Sequence, residues 1–480
     1  MKKSFLWLLI MLITVSMVAT FSLAGCKEAA AEEEAAAPAE KEEAAPAEKE
    51  EAVETPTTSG EWGNIDWKQF AGTELNVIAT AMPVSEVYKE YIGEFEGLTG
   101  IKVNFQMFED TDRKKKQLVD FSSGMGEFDV GNIGHSNREE FAQPGYLDTL
   151  EKYLDDPSLT DSEWYNFEDY PPDIIEAGYS KAGDLVYIPY TAEYYLIAYL
   201  KDVFDQLGLE APQTWEEYEA VVKAIDDARK AGEIEAYAYV DRTLPGASEG
   251  GWSMFCSASR YGLTLVDFDN MISYVNTPKG VEFMDWYTSW AKNYGPPGSS
   301  NWTWPDIAQA FSQGQLAMAI IGNASYKTIE DPSKSVVAGN IGYAHTIMKD
   351  DGRDPLWEWG WGINADSKNK EAAWLFVQWA TSPTLMKKMG PEYGCPARGS
   401  IYEDPAYIEA MPNQEFIDAQ VWMMTQGVDP RPQIINAKWA EAADIISKEM
   451  SNVVAGIKDA KTACEDAEIA LEKLGYEPAE

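Results

Sequence analysis

Residues 75–107 read LNVIATAMPVSEVYKEYIGEFEGLTGIKVNFQM, and the order of patterns within them decides the fold class. Residues 75–80 form a short apolar run, which is typical of a buried strand. From 84 to 95 apolar residues recur every three or four positions, and Gly100 then ends the helix that this spacing predicts. Residues 101–107 alternate between apolar and polar, the period of a strand. Strand, helix and strand together predict a βαβ unit in a parallel sheet flanked by helices.

The chain beyond this unit shows further helical patterns. Thr214 and Glu217 form a capping box that begins a helix ending near Gly232. Apolar residues at spacings of three and four also predict helices over 371–380, 439–453 and 460–474. The sequence therefore predicts an α/β protein.

Length and composition exclude several classes of protein. The 480 residues are 45% hydrophobic and 25% charged, which is an ordinary globular composition with room for two to four domains or lobes. The formal net charge of −42 repels phosphate backbones and argues against nucleic-acid binding. Four cysteines and two histidines stand singly, so no zinc or haem site and no cofactor is expected. Cys256, Cys395 and Cys464 allow at most one disulfide, and buried free thiols are the alternative.

The N-terminus carries the pattern of an export signal. Lys2 and Lys3 precede an uncharged stretch over 5–24, and small residues lead to Cys26 in the tetrad LAGC. This tetrad resembles the bacterial lipobox, which implies a signal peptide over 1–25 and a lipid on Cys26. The alternative is a retained transmembrane anchor. Both place the remaining chain outside the cytoplasm, attached to the membrane.

Residues 26–60 are rich in Ala, Glu and Pro, and the octapeptide APAEKEEA at 37–44 recurs at 45–52. Such a segment has almost nothing to form a core, so it predicts a solvated, partly helical tether.

A search for enzyme motifs finds no nucleophile elbow, P-loop, dinucleotide fingerprint, HExxH or CxxC motif in the sequence. The acidic run at 350–354 lacks the ligand spacing of a calcium loop and reads as a solvated turn. With 80 Asp and Glu residues, counting alone leaves a glycosidase-type carboxylate pair open.

Tryptophans stand in loops interrupted by glycine and proline, notably in 251–252, 302–305 and 357–362. Sugars and polyols present C–H faces that stack on such rings, and their hydroxyls need amide, carboxylate or guanidinium partners. An uncharged ligand of this kind is also indifferent to the negative charge of the chain. The pattern favours carbohydrate or polyol binding, although each tryptophan alone could equally belong to the core.

Several segments, in a fixed order over about 400 residues, resemble the extracytoplasmic solute-binding proteins of ABC sugar importers, the maltose-binding-protein-like group. The segments are FEGLTGIKV at 95–103, FDV at 128–130 with FAQPGYL at 141–147, IPY at 188–190, YLKDVF at 199–204, APQTWEE at 211–217, FSQGQLAMAIIG at 311–322, and GWGINA at 360–365 with SKNKEAAW at 367–374.

The resemblance implies two α/β lobes, each a mostly parallel sheet flanked by helices, with the ligand in the cleft between them. It implies an N-terminal lobe over 61–189 and 341–390 and a C-terminal lobe over 190–340 and 391–480. Crossings near 189, 341 and 390 would then act as the hinge that closes on a ligand.

The resemblance also suggests ligand contacts at individual positions. Glu193 follows the PY step, where the family places an acid that reaches ligand hydroxyls, and a role as an acid of the lobe interface is the alternative. Asn137 and Arg138 fall at polar contacts after the third strand, and Trp439 falls near a stacking aromatic residue. Tyr326 stands near the position of an aromatic residue, although the usual tryptophan is missing.

Four further candidates complete the expected site. Arg242 and Arg398 lie in segments that look like those of polyol and monosaccharide binders, and a guanidinium fork can hold two hydroxyls. For both, a role on the surface or in lobe packing is the alternative. Trp359 and Trp361 lie where the chain is expected to re-enter the cleft, so we expect them to stack on the ligand.

The expected function is capture of a small neutral sugar or polyol and its delivery to an ABC permease by a monomeric protein that performs no chemistry. An extracellular carbohydrate-active hydrolase is the alternative from another class, and it would need two carboxylates about 5–9.5 Å apart across the cleft. A chemosensory binding subunit is a third possibility, since both transport and sensing use the surface of the closed lobes.

Overall fold

The computed structural model describes residues 60–135, 137–433, 436 and 438–479. The expected signal peptide, Cys26 and the tether up to residue 59 lie outside the described residues. Among the described residues, we find no helix that is long and apolar enough to cross a bilayer.

The strands are, in chain order, β1 (Glu74–Thr80), β2 (Lys102–Phe108), β3 (Val130–Gly134), β4 (Ile188–Pro189), β5 (Tyr195–Leu200), β6 (Val266–Asp267), β7 (Ile272–Ser273), β8 (Met318–Gly322), β9 (Ile341–His345), β10 (Asp354–Pro355), β11 (Trp359–Ile363), β12 (Val428–Asp429) and β13 (Glu477–Pro478). The α-helices are α1 (Pro83–Thr99), α2 (Asp110–Ser123), α3 (Arg138–Ala142), α4 (Glu151–Leu154), α5 (Ser162–Tyr165), α6 (Pro172–Glu176), α7 (Lys201–Leu207), α8 (Trp215–Ala231), α9 (Trp252–Arg260), α10 (Pro278–Tyr294), α11 (Trp304–Ser312), α12 (Tyr326–Ile329), α13 (Lys370–Ala380), α14 (Pro383–Tyr393), α15 (Pro405–Ala410), α16 (Gln414–Trp422), α17 (Trp439–Val454) and α18 (Ala460–Glu472).

The local signals in the sequence begin and end helices where they were expected to. Gly100 adopts φ 71° at the end of α1, a left-handed conformation that glycine adopts without steric cost. At the start of α8, the hydroxyl of Thr214 accepts a hydrogen bond from the backbone N–H of Glu217 at 3.2 Å. The Glu217 carboxylate in turn accepts from the backbone N–H of Thr214 at 3.1 Å, so the predicted capping box is confirmed. Gly232 ends α8 with φ 78°.

The first sheet has the strand order β2-β1-β3-β11-β4, and we call the half of the protein built on it the first lobe. β1 runs parallel to β2 and β3, as the βαβ pattern predicts. β11 runs antiparallel to both β3 and β4. The expectation of a mostly parallel sheet is therefore wrong for half of the pairings, because β11 returns to this sheet after the chain has passed through the second sheet.

The second sheet has the order β8-β5-β9, and we call the half built on it the second lobe. Both of its pairings are antiparallel, so the expected parallel arrangement is wrong here as well. For β5 and β9 the reason lies in the chain path. The chain enters the second lobe through β5 and returns towards the first lobe through β9, so the two strands run in opposite directions.

The connections between the sheets lie side by side. Glu193 and Trp357 form an antiparallel bridge, with N–H···O distances of 2.7 and 2.8 Å. A second bridge joins Thr191 to Pro396. Because β9 pairs with β5 in the second sheet, we propose that the second crossing lies between 345 and 359 instead of near 341.

The third crossing also shifts along the chain. Arg398 donates from Nε to the carbonyl of Thr381 at 2.8 Å and from Nη1 to that of Asn166 at 2.8 Å, and both partners lie in the first lobe. The backbone N–H of Tyr343 in β9 donates to Glu415 of α16 at 3.1 Å. We therefore propose that the chain leaves the first lobe after 398 and before α16, instead of near 390.

The three cysteines of the described residues are free and buried. Cys256 lies in the middle of α9, Cys395 directly precedes the bridge at Pro396, and Cys464 lies in α18. Of the two possibilities that the sequence left open, the structure shows buried thiols.

Candidate functional site

A crevice separates the two lobes. A groove of about 840 Å³ is lined on one side by first-lobe residues of 139–149 and 180–186 and on the other by Phe268, Asp269 and Lys438 of the second lobe. The Lys181 ammonium reaches across it to the Asp269 carboxylate at 2.5 Å. The lobes thus meet along this groove through polar side chains.

Two polar residues, Asn137 and Arg138, lie shortly after β3, at the edge of the first sheet that faces the second lobe. The side-chain oxygen of Asn137 accepts from the backbone N–H of Gly134 at 2.9 Å, while its Nδ2 is buried with no hydrogen-bond partner among the described residues. Arg138 donates from Nη1 to the carbonyl of Ala177 at 2.5 Å, and its Nη2 is likewise buried and unpaired within the described chain. Each of these two side chains thus has one polar atom fixed by a backbone hydrogen bond and one buried donor, Nδ2 or Nη2, without a partner.

An aromatic chain continues from this edge into the second lobe. The ring of His135 lies 5.2 Å from that of Trp252, the first residue of α9. Trp252 contacts Trp357 at 4.9 Å and Trp439 at 5.7 Å, and Trp357 contacts Tyr195 at 4.6 Å. The first contact joins the two lobes, so we refer to these five rings as the cleft aromatic cluster.

Two members of the cleft aromatic cluster have unpaired donors. The indole N–H groups of Trp357 and Trp439 are buried without a hydrogen-bond acceptor among the described residues. An unpaired buried donor costs the free energy of its lost hydration, about 1–3 kcal/mol. Together with Asn137 and Arg138, they give the contact region between the lobes four buried donors that a ligand with lone pairs could satisfy.

A small cavity adjoins the cluster on the second-lobe side. It has a volume of about 40 Å³ and is bordered by Tyr195, Arg242, Asp241, Trp304 and the end of β8. A volume of that size holds only a few water molecules, whereas small-molecule pockets usually measure about 300–1,000 Å³. A sugar or polyol could therefore enter only after the walls move apart.

The walls of this cavity include one of the expected arginines. Arg242 is almost fully buried and donates from Nη2 to the Tyr195 hydroxyl at 2.8 Å. Its Nη1 donates to the carbonyl of Ser248 at 3.3 Å and lies 3.7 Å from the Glu249 carboxylate. Arg242 thus lies at the cavity but has protein partners for its guanidinium.

Burial alters the acidity of the groups between the lobes. Desolvation raises the pKa of Glu193 to about 7, against a smaller lowering by a hydrogen bond from Thr191. Desolvation raises the pKa of Glu358 to about 8, although the nearby Arg138 charge and a hydrogen bond from the Tyr187 hydroxyl lower it. Desolvation also lowers the pKa of His135 to about 3, which keeps this ring neutral at pH 7. Burial thus opposes a charge on each of these three groups.

Trp361 does not lie in the cleft, so its expected stacking role is wrong. Its side chain is fully buried in the first-lobe core. Its ring contacts Tyr190 at 5.3 Å, Tyr88 at 5.4 Å and Phe376 at 5.7 Å. These neighbours surround the indole and leave no face for a ligand.

Arg398 and Tyr326 are also structural, which corrects two further expectations. Arg398 is fully buried in the first lobe, where its guanidinium lies over the rings of Tyr165 and Tyr170 at 4.9 and 4.4 Å. Tyr326 stacks on Phe416 at a ring distance of 4.0 Å within the second lobe.

Trp359 lies beside the site instead of within the cluster. It is half-buried at the start of β11, opposite Gly134, and the Arg113 guanidinium lies 5.7 Å from its ring centroid. Glu193, Asn137, Arg138, Arg242 and Trp439 are the expected residues that the fold does bring to the cleft.

Five residues of this region were not predicted from the sequence as ligand contacts, namely His135, Tyr195, Trp252, Trp357 and Glu358. A signal existed for Trp252 and Trp357, because both lie in the glycine-interrupted aromatic segments noted above. Nothing in the sequence marks His135 or Tyr195, because they reach the site only through the packing of one lobe on the other. Within the described residues, no group of His, Cys, Asp and Glu side chains could hold a metal ion.

Comparison with known proteins places these observations in a family. A family model described as "Bacterial extracellular solute-binding protein" matches residues 82–387. The curated erythritol/L-threitol-binding protein of Mycolicibacterium smegmatis is 27% identical over 356 residues, which cover 71% of this chain and 74% of that protein. A probable amino-acid ABC transporter periplasmic-binding protein of Sinorhizobium fredii is 26% identical over 419 residues, which cover 85% of this chain and 90% of that protein.

Solved structures share the fold. An ABC transporter solute-binding protein from Agrobacterium radiobacter K84, in complex with ribitol, superimposes with a TM-score of 0.71. The two chains are 23% identical, and the match covers 84% of this chain and 99% of the other. The expected two-lobed α/β fold of periplasmic binding proteins is confirmed.

Proposed function

Because this chain belongs to the family of bacterial extracellular solute-binding proteins, we propose that it captures a sugar or polyol outside the cytoplasm and delivers it to the permease of an ABC importer. Members of this family bind solutes and do not transform them, so the chain is a binding protein and not an enzyme. Closure of the lobes around the ligand and release at the permease are the mechanism that the two-lobed fold supports.

One observation carries the ligand class, namely the set of buried donors without partners at Asn137, Arg138, Trp357 and Trp439. We propose that the hydroxyl oxygens of the ligand accept from these donors when the lobes close around it. Its own hydroxyl hydrogens can donate to the carboxyl group of Glu193. The aromatic faces nearby suit the C–H surface of such a ligand.

Two of the compared proteins support a polyol in particular. One is an erythritol/L-threitol-binding protein, and the other is a solute-binding protein in complex with ribitol. A third is named as a probable amino-acid transporter component, so amino acids belong in any test of the proposal.

The arrangement of carboxylates does not favour the hydrolase alternative. The backbones of Glu193 and Trp357 form a β-bridge, and Glu358 is the residue after Trp357. The two acids therefore lie on neighbouring connecting segments. A glycosidase needs its two carboxylates on opposite sides of the scissile bond.

We extend the proposal to the parts of the chain beyond the described residues. Residues 1–25 direct export, Cys26 carries the lipid, and the tether over 26–60 lets a monomeric binding domain reach the permease. The LAGC tetrad and the composition of the tether support this assignment. Labelling of cells with radioactive palmitate would test it, because a Cys26→Ala variant should lose the label and remain uncleaved.

A thermal-shift screen tests the ligand class. The purified protein is heated with erythritol, ribitol, mannitol, hexoses, maltose and a set of amino acids. A ligand at 100 times its dissociation constant stabilises the folded state by about 2.7 kcal/mol, which raises the melting temperature by a few degrees. A shift with a sugar or polyol supports the proposal. A shift with amino acids alone, or with none of these compounds, contradicts it.

A further inference from the structure

We infer that the Nδ1 atom of His135 accepts a hydrogen bond from one hydroxyl of the ligand, and that this contact makes the site prefer solutes that carry that hydroxyl over analogues that lack it. The inference rests on the proposed function, because it concerns the same ligand. It goes further in naming an acceptor that complements the four buried donors, and the selectivity that results.

His135 lies in a turn that hydrogen bonds close at both ends. The backbone N–H of Asn137 donates to the carbonyl of Gly134 at 3.1 Å, and the side-chain oxygen of Asn137 accepts from the N–H of Gly134 at 2.9 Å. The backbone N–H of His135 donates to the carbonyl of Glu358 at 3.4 Å. These bonds fix the backbone of His135 two residues from Asn137, which carries one of the four unpaired donors.

The imidazole ring also lies against the second lobe. The side chain is only 9% exposed, and its ring meets that of Trp252 edge-on at 5.2 Å. Trp252 in turn contacts Trp357 and Trp439, the two indoles whose buried N–H groups have no acceptor among the described residues. His135 is therefore flanked by a first-lobe donor in its own turn and, through Trp252, by the two donors of the second lobe.

The Nδ1 atom of His135 is buried and has no hydrogen-bond partner among the described residues. The other histidine of the sequence differs, since the Nδ1 atom of His345 lies 2.9 Å from the carbonyl oxygen of Thr346. Nearly all buried polar atoms in folded proteins have a partner, so an unpaired one calls for an explanation. A ligand hydroxyl in the cleft would supply the missing partner.

The surroundings of His135 keep its ring neutral at pH 7. Desolvation lowers the pKa of His135 to about 3, and the charges of Lys114 and Arg138 also lower it, whereas a hydrogen bond with the Glu358 backbone and the charge of Asp110 raise it. A neutral imidazole has one N–H group and one nitrogen with a free lone pair. With its proton on Nε2, the ring therefore presents Nδ1 as an acceptor.

The four buried donors leave the ligand with hydrogens of its own to place. A hydroxyl that accepts a hydrogen bond from one of these donors still has a hydrogen to donate. The carboxyl group of Glu193 can accept one such hydrogen, and Nδ1 of His135 can accept another. An analogue without that hydroxyl leaves Nδ1 buried and unpaired, so it should bind more weakly than the parent compound.

Calorimetry tests this inference on the full protein with ribitol, or with the sugar or polyol that gives the largest thermal shift. We expect the affinity to fall about 5- to 100-fold in His135→Phe, which keeps a planar ring without the acceptor. The loss should be smaller in His135→Asn, because the Asn side-chain oxygen can accept from nearly the same place. His345→Phe is the matched control and should bind normally, since His345 stacks on Trp422 at 3.8 Å, outside the cleft aromatic cluster.

Monodeoxy derivatives of the ligand separate a direct contact from a change in packing. In the unaltered protein, the derivative that lacks the contacting hydroxyl should bind about 5- to 100-fold more weakly than the parent compound. In His135→Phe the two compounds should bind almost equally, because the contact is already lost. A packing defect would instead weaken both by the same factor. An unchanged ratio for every derivative would overturn the inference and leave the proposed function intact.

NMR of the unaltered protein gives a readout that does not depend on how a variant folds. The chain has two histidines, so labelling with ¹⁵N-histidine gives two rings, and His345→Phe assigns them. We expect a saturating ligand to shift the Nδ1 resonance of His135 upfield, as for a nitrogen that gains a hydrogen bond. An unchanged resonance would overturn the inference. If the unaltered protein binds none of the screened compounds, the proposed function fails and this inference fails with it.

Discussion

Replacement of Glu358 by Gln should change how the stability of the protein depends on pH. The Glu358 side chain is 1% exposed, and its carboxyl group accepts a hydrogen bond from the Tyr187 hydroxyl. Its pKa is raised from 4.5 to about 8, chiefly because burial disfavours the charged form. Gln has nearly the same shape and can also accept from Tyr187, but it never becomes charged.

The direction of the effect follows from proton binding. Between pH 4.5 and 8 the folded state keeps a proton on Glu358 that the unfolded state has released, so the folded state loses relative stability as the pH rises. A shift of this size corresponds to a loss on the order of 3 kcal/mol between pH 5 and pH 8, at 1.36 kcal/mol per pKa unit. The full contribution is present below pH 4.5 and is gone above pH 8.

Urea denaturation at pH 5, 6, 7 and 8 measures the effect. We expect the free energy of unfolding of Glu358→Gln to rise relative to the unaltered protein by about 3 kcal/mol across this range. The difference between the two proteins matters, because other titrating groups affect both equally. A difference that stays constant with pH would refute the assignment of a protonated carboxyl group to this position.

Two further predictions separate the cleft from the core. Trp357→Phe keeps an aromatic ring but loses the buried N–H donor, so we expect ligand affinity measured by calorimetry to fall about 2- to 10-fold. Trp361→Phe is its matched control. A larger loss of affinity in Trp361→Phe than in Trp357→Phe would contradict the assignment of Trp361 to the core. Arg398→Lys loses the guanidinium that donates to the carbonyls of both Thr381 and Asn166. We therefore expect the free energy of unfolding to fall by about 2–3 kcal/mol while ligand affinity stays unchanged. A changed affinity in the folded variant would show that Arg398 takes part in ligand binding.

Local patterns in the sequence were sufficient to predict much of the fold. The period of 84–95 and the glycine at 100 act within one helix, so they give α1 without reference to the rest of the protein. The capping box at Thr214 likewise depends on residues three positions apart. The direction of a strand within its sheet is not set by such local patterns, because it depends on how the preceding elements are connected. The antiparallel direction of β11 could not be predicted from its own residues.

The tryptophans of residues 357–361 show why the site was only partly predictable. Trp357, Trp359 and Trp361 alternate with other residues, so a single strand pattern describes all three. Their surroundings differ because the segment runs from the lobe junction into the first-lobe core, which places Trp357 in the cleft aromatic cluster, Trp359 at the sheet edge and Trp361 inside. Position along the strand decides the role, and the sequence carries no mark of where the cleft ends.

The charge of the site explains why a strongly acidic protein can suit a neutral ligand. At pH 7 the buried Glu358 is mostly protonated, Glu193 is near half-protonation and His135 is neutral. Arg138 has the Glu139 carboxylate 3.1 Å away, and the Arg242 charge is likewise offset by a nearby acid. These groups therefore add little net charge to the contact region between the lobes. An ionic ligand would find no opposite net charge to repay its lost hydration, whereas a polyol loses little hydration free energy and gains the unpaired donors.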